Sequence, residues 1–133
     1  MWVGNWLSWQ DLSWTVESAT VDGPDLLSRV VYLKVAHHGS ENATLQAKGL
    51  ELMGDADLSA FIPVNEADAK SVGWGRMPFD KILERLIVKT DGRVIRADDA
   101  WIAGADKAPK RLRGGSIAPV SHQAGLWVEV AIR

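Results

Sequence analysis

Apolar residues run through this chain in two rhythms, one near-continuous and one with the helical spacing of three and four. Val30-Val31-Tyr32-Leu33-Lys34-Val35-Ala36 is almost unbroken and rich in β-branched residues, the signature of a strand buried on both faces. It stops abruptly at His37-His38-Gly39-Ser40. Leu58 to Val64 is a second short apolar stretch and predicts another strand, with Pro63 placing its end near a sheet edge or a bulge. From Pro78 onward, Phe79, Ile82, Leu83, Leu86 and Ile87 follow the spacing i, i+3, i+4, i+7, i+8. Asp80 stands in the first turn and Lys89 near the end, as the helix dipole favours. This is the best-defined helix in the chain. Asp91-Gly92 then turns into a strand over Arg93 to Ala97, and Leu126 to Ile132 reads as a closing strand.

Weaker signals fill the gaps. Leu45, Leu52 and Met53, with Gly49 on the same face, predict a helix from Asn42 to Met53. Asp22-Gly23-Pro24 signals a turn that leads into a short helical segment at Asp25 to Arg29. Trp2, Trp6, Trp9 and Leu12 would line one face of a helix. The first fourteen residues hold no Lys or Arg to favour anionic lipid, so this face is expected to pack in a core or interface. Strands alternating with helices point to an α/β layered architecture.

Composition narrows the chemistry. The 133 residues are 47% hydrophobic, enough for a core, and 15 Lys plus Arg against 17 Asp plus Glu give a net charge of -2. Such a body has no general attraction for nucleic acid or acidic lipid, so neither is expected as a partner. The absence of Cys excludes disulfide frameworks, Cys-ligated zinc, iron–sulfur clusters and thiol nucleophiles, leaving His, carboxylate and backbone oxygen for any metal. The opening Met1 to Trp6 lacks a basic start and an apolar stretch, and no apolar run approaches a membrane span. A cytoplasmic protein is expected. Residues 104–119 shift to Gly, Pro, Ala and the bases Lys107, Lys110, Arg111 and Arg113, and predict a flexible, solvated basic loop.

Two of the three histidines, His37 and His38, stand at the carboxyl end of the most apolar strand, where layered α/β folds gather their chemistry. On a strand they would face opposite ways, so only one would enter a shared site. Gly39 permits a turn there. Ser40, Asn42 and Thr44 are suited to cap a following helix.

The segment Tyr32-Leu33-Lys34-Val35-Ala36-His37-His38-Gly39-Ser40 resembles the late motif of metallo-β-lactamase-fold hydrolases, in the branch related to competence-protein (DNA-uptake) domains. Further blocks extend the likeness: Gly4-Asn5-Trp6-Leu7-Ser8-Trp9, Glu41-Asn42-Ala43-Thr44-Leu45, Gly49 to Met53, Ile62-Pro63-Val64, Met77-Pro78-Phe79 and Gly92 to Asp98. The resemblance implies a four-layer αββα sandwich, with a mixed sheet and flanking helices, that carries one or two metal ions. These are usually zinc, with manganese or iron as substitutes, and a metal-bound water attacks an ester, amide or phosphodiester. It further implies that His37 or His38 is a metal ligand, with Gly39, Ser40 and Asn42 shaping the turn.

The departures are equally specific. The family's His-x-His-x-Asp-His motif has no counterpart, because His37, His38 and His122 are the only histidines. Its later Gly-Asp pair, which precedes the His motif, is matched only by Gly54-Asp55, which follows it, so no ligand role passes to Asp55. The likeness thus maps residues 1–133 onto one partial domain, the C-terminal half of the fold. The function expected is a fragment of a metal-dependent hydrolase, inactive alone. The missing N-terminal half or a second copy would be its partner, and a small molecule or phosphodiester the substrate of the complete enzyme. The alternative is a non-catalytic binding or scaffold module that associates through the Trp-rich start. His122 is a candidate substrate contact or a surface turn cap. Asp98 and Asp99 read as solvated carboxylates at a strand end.

Overall fold

Three short parallel strands set the framework of the computed structural model, which describes residues 12–40, 49–104 and 107–132. They are β3 (Tyr32–Lys34), β4 (Ser59–Ile62) and β5 (Val94–Arg96), in the order β3-β4-β5. Leu33 is in register with Ala60, and Ala60 with Val94. Because successive strand residues face opposite ways, each strand divides its side chains between two layers. Leu33, Ala60, Ile62 and Val94 join Leu27, Leu50, Met53 and Leu86 in one cluster. Ile95 joins Trp101, Ile102, Leu112 and Ile117 in another, with Tyr32 and Phe61 packed against it. Both faces of the sheet are therefore covered, which is why its strands read as apolar runs rather than as alternating ones.

Helices cover the first face. α1 (Gly23–Ser28) starts on a capping box, in which Asp22 accepts from the Asp25 N–H at 2.8 Å and Asp25 from the Asp22 N–H at 3.2 Å. The connection from β4 to β5 carries α2 (Glu66–Ser71) and α3 (Asp80–Lys89). α3 buries Ile82 and Leu86 on the stripe the spacing predicts. The other face receives α4 (Ala100–Ala103) and the antiparallel pair β6 (Ile117–Gln123) and β7 (Trp127–Ile132), whose Val120, Val128 and Val130 pack on the second cluster. A buried arginine ties the strand bottoms together: Arg93 donates from Nε to Leu58 O at 3.1 Å and from Nη2 to Ala56 O at 2.5 Å. Gly115 passes so close that a Cβ there would lie 2.5 Å from Arg93 Nε. The chain is α/β.

Several elements differ from expectation. Within Val30 to Ala36 the strand proper is Tyr32–Lys34, extended by backbone bonds from Ser59 to Val31 and from Val35 to Phe61, and Lys34 is exposed rather than buried. β4 is the central strand, so Pro63 follows a strand flanked on both sides and marks no edge. Leu50–Leu52 is a 3-10 turn, not the end of an α-helix. The rest of that expected helix, at residues 41–48, and the Trp-rich residues 1–11 lie outside the described residues. The stretch at 104–119 contains a 3-10 turn at Lys110–Arg113, where Leu112 is fully buried and Arg111 Nε donates to Gly92 O at 3.1 Å, and it includes the start of β6. The hairpin of β1 (Ser13–Val16) and β2 (Ala19–Asp22), and helices α2 and α4, carry no clear signal in the apolar pattern. Among the described residues, no helix is long and apolar enough to cross a membrane.

Candidate functional site

The turn after β3 is left-handed through three residues in succession: φ is 45° at His37, 56° at His38 and 78° at Gly39. Such a conformation is costly for residues bearing a Cβ, roughly 1–2 kcal/mol each, so it persists only where its surroundings fix it. They do so here on several sides. The Gly39 N–H donates to Ala36 O and the Ser40 N–H to His37 O, both at 3.0 Å, and the Phe79 N–H donates to Gly39 O at 2.8 Å. Gly39 is buried against Pro78, where a Cβ would come within 2.7 Å of the proline Cβ. The two histidines are thus not alternating strand residues, and the separation of their directions comes from the turn.

His38 is the one engaged. Its Nδ1 hydrogen bonds to Pro63 O, and since a carbonyl only accepts, Nδ1 carries the proton. In the neutral ring Nε2 is then left as the acceptor. The ring also lies 5.4 Å from that of Trp74, tilted by 35°. His37 is exposed, and its side chain has no hydrogen-bond, ion-pair or ring partner among the described residues. Ser40 is half-buried at the end of the turn. Asn42 lies outside the described residues.

A cavity of about 440 Å³ opens beside His38, at the carboxyl ends of the parallel strands. This is where open α/β sheets place their ligands. Pro63, Val64 and Asn65 line it as the chain leaves β4, Asp68 and Ala69 from α2, Val72 and Trp74 beyond that helix, and Ala97 beyond β5. The walls are mostly apolar. Asn65 already serves as the N-cap of α2, its Oδ1 accepting from the N–H groups of Ala67 and Asp68 at 3.1 and 3.2 Å. The Asp68 carboxylate forms no ion pair among the described residues.

A charged clamp supports the rim. Arg96 donates from Nε to Asp98 Oδ1 at 2.9 Å, and from Nη2 to Asp98 Oδ2 at 2.8 Å and Glu66 Oε2 at 3.1 Å. The Glu66 N–H donates to Asp98 Oδ2 at 2.8 Å, so the end of β5 is tied to the start of α2. Burial alone would raise the Asp98 carboxyl, but the Arg96 guanidinium and the Glu66 amide outweigh it and hold the group below the ordinary carboxylate range. Asp99 Oδ2 accepts from the Arg96 N–H at 3.0 Å and from Trp101 Nε1 at 3.2 Å. Asp98 and Asp99 are therefore half-buried and bonded, not solvated strand-end groups.

His122 stands apart from this turn. It lies on β6, where Nε2 donates to Gly104 O at 3.1 Å and the ring meets Trp101 edge-on at 5.1 Å. Trp101 belongs to the cluster on the opposite face of the sheet from Leu33, Ile62 and Val94. Among the described residues, no group of three His, Asp or Glu is placed to hold a metal ion. His38 supplies a single imidazole where a catalytic zinc needs three protein ligands, so the described residues do not by themselves fit that ion. Trp74 and Asp68 are the site residues that the apolar pattern does not reveal. The only local signal is the Asn65-Glu66-x-Asp68 helix start directly after an apolar strand. Compared with family models, curated proteins and solved structures, the chain has no match.

Proposed function

We propose that the chain acts by binding: the cavity beside His38 takes a small molecule with a largely apolar body and a polar group directed at the imidazole. The observation that carries this reading is the bond from His38 Nδ1 to Pro63 O, which fixes one tautomer of a ring that borders an apolar cavity. Pockets of this size, mainly apolar with few fixed polar groups, are the usual form of small-molecule sites. The test is a fragment screen followed by NMR on the Trp74 indole and the Val72 methyls, repeated on Trp74→Ala. Fragments that move these signals, and bind the variant several-fold more weakly, are expected. A screen in which none moves them overturns the reading.

The second reading is the C-terminal half of a metallo-β-lactamase-like αββα hydrolase, to which His38 contributes one ligand and a missing half or second copy the others. Two features favour it. A histidine that donates one ring nitrogen to a backbone carbonyl is prepared to ligate with the other, as metal-bound histidines generally are. The order of layers, helices, then the parallel sheet, then the β6–β7 hairpin on its far face, accounts for three of four layers in such a sandwich. In a zinc titration of the chain followed by ring ¹⁵N shifts, Nε2 of His38 is expected to respond first and weakly. Equal responses from His37 and His38, or tight one-to-one zinc in the chain alone, would count against a shared site of this kind.

A further inference from the structure

We infer that the ligand of this cavity is a small organic ammonium ion with an aryl or alkyl body; the inference rests on the binding reading above and adds the ligand class. Among the described residues Asp68 is the one charged side chain that lines the cavity, and it forms no ion pair with any of them. Among the described residues no Lys or Arg lines it; Lys70 and Arg76 border a separate cleft with Glu66 and Gly75. The charged and imidazole groups offered are acceptors, beside two neutral donors, the Asn65 amide and the Trp74 indole N–H. With Nδ1 committed to Pro63 O, the ring nitrogen of His38 left over is Nε2, and Asp68 presents a carboxylate. Among the described residues such a lining has no cation to pair with a carboxylate or phosphate, and the Asp68 carboxylate repels both. A cation fits on two further counts: Trp74 remains 56% exposed, leaving ring surface for cation–π contact, and Val64, Ala69 and Val72 provide an apolar wall for the ligand body.

The experiment compares three probes of one size on the whole chain: 2-phenylethylammonium, 2-phenylethanol and phenylacetate, with binding read from the Trp74 and Val72 signals. The ammonium ion is expected to bind about fivefold tighter than the alcohol, with phenylacetate weakest, as an exposed ion pair joined by a cation–π contact allows. Asp68→Asn should erase the preference for the ammonium ion over the alcohol. The substitution sits on an exposed helix surface, so the variant keeps its fold, which its amide spectrum checks. Binding of the alcohol or of phenylacetate as tight as that of the ammonium ion overturns the ligand class while the pocket reading stands. So does an equal loss of all three probes in Asp68→Asn. If no probe moves Trp74 or Val72, the pocket reading fails and this inference with it.

Discussion

At the scale of single residues, the backbone of the turn after β3 decides where the imidazoles go, and Gly39 decides the backbone. Its φ of +78° is a conformation that side chains resist, and a Cβ would press on Pro78 at 2.7 Å. Gly73, at φ +77°, has the same backbone problem but open space around the missing Cβ. The pair therefore separates backbone strain from collision. Gly73→Ala is expected to cost about 1 kcal/mol from backbone strain alone. Gly39→Ala should cost roughly 2–4 kcal/mol, because overpacking adds to the same strain. Urea unfolding of both variants measures the difference, and equal losses would mean that the contact with Pro78 is soft. A substitution at Gly39 also shifts the carbonyl that receives the Phe79 N–H, so the His38 ring signals should move in that variant and stay in place in Gly73→Ala.

At the scale of elements, the clamp of Arg96, Asp98 and Glu66 joins the exit of β5 to the first turn of α2, and so fixes the part of α2 that carries Asp68. Asp98 has its carboxyl held below the ordinary range in the folded chain, so its contribution is present above the unfolded value of about 3.9 and is lost as the pH falls through the lower folded value. Asp98→Asn is expected to destabilise by roughly 1.5–3 kcal/mol near neutral pH. The gap from the parent chain should hold down to about pH 4 and close below it. Urea unfolding across the acid range checks this; a gap that widens toward low pH would reverse the sign of the argument. Elements of this kind also explain what the apolar pattern could and could not disclose. α3 is ten residues long and shows its stripe, and β5 is framed by the Asp91-Gly92 turn, so both are legible. α2 and α4, at six and four residues, are too short to establish a period. β1 is exposed along its whole length, so burial imposes no alternation on it. β6 begins inside a stretch of glycine, proline and basic residues and is defined by pairing with β7, a partner that only the folded chain supplies. The place of His38 at a strand end was legible in the sequence. Which of His37 and His38 borders the cavity, and that Trp74 and Asp68 line it, depend on a left-handed turn and on loops brought together by β4 and α2.

At the scale of the whole molecule, two apolar clusters share one thin sheet, and the sharing predicts how the chain unfolds. Val94 and Ile95 are neighbours in β5 but belong to opposite clusters, as Ala60 and Phe61 do in β4. Loss of the helical cover over Leu86 would leave Ala60 and Val94 open to water. Loss of the hairpin cover would do the same to Phe61 and Ile95. Strands of three and four residues have too few hydrogen bonds to stand with one face bare, so neither half should persist without the other. Leu86 and Ile95 are both fully buried, one in each cluster. Leu86→Ala and Ile95→Ala are each expected to cost about 2–5 kcal/mol and to lower one common urea transition. Amide exchange gives the sharper reading: the Ala60 N–H, which donates to Arg93 O at 2.9 Å, should lose protection to the same extent as global stability in both variants. If Ile95→Ala instead split the transition, with α3 still protected after the hairpin had opened, the clusters would be separate folding units. The cavity beside His38, built from β3, β4 and α2, would then survive without the hairpin.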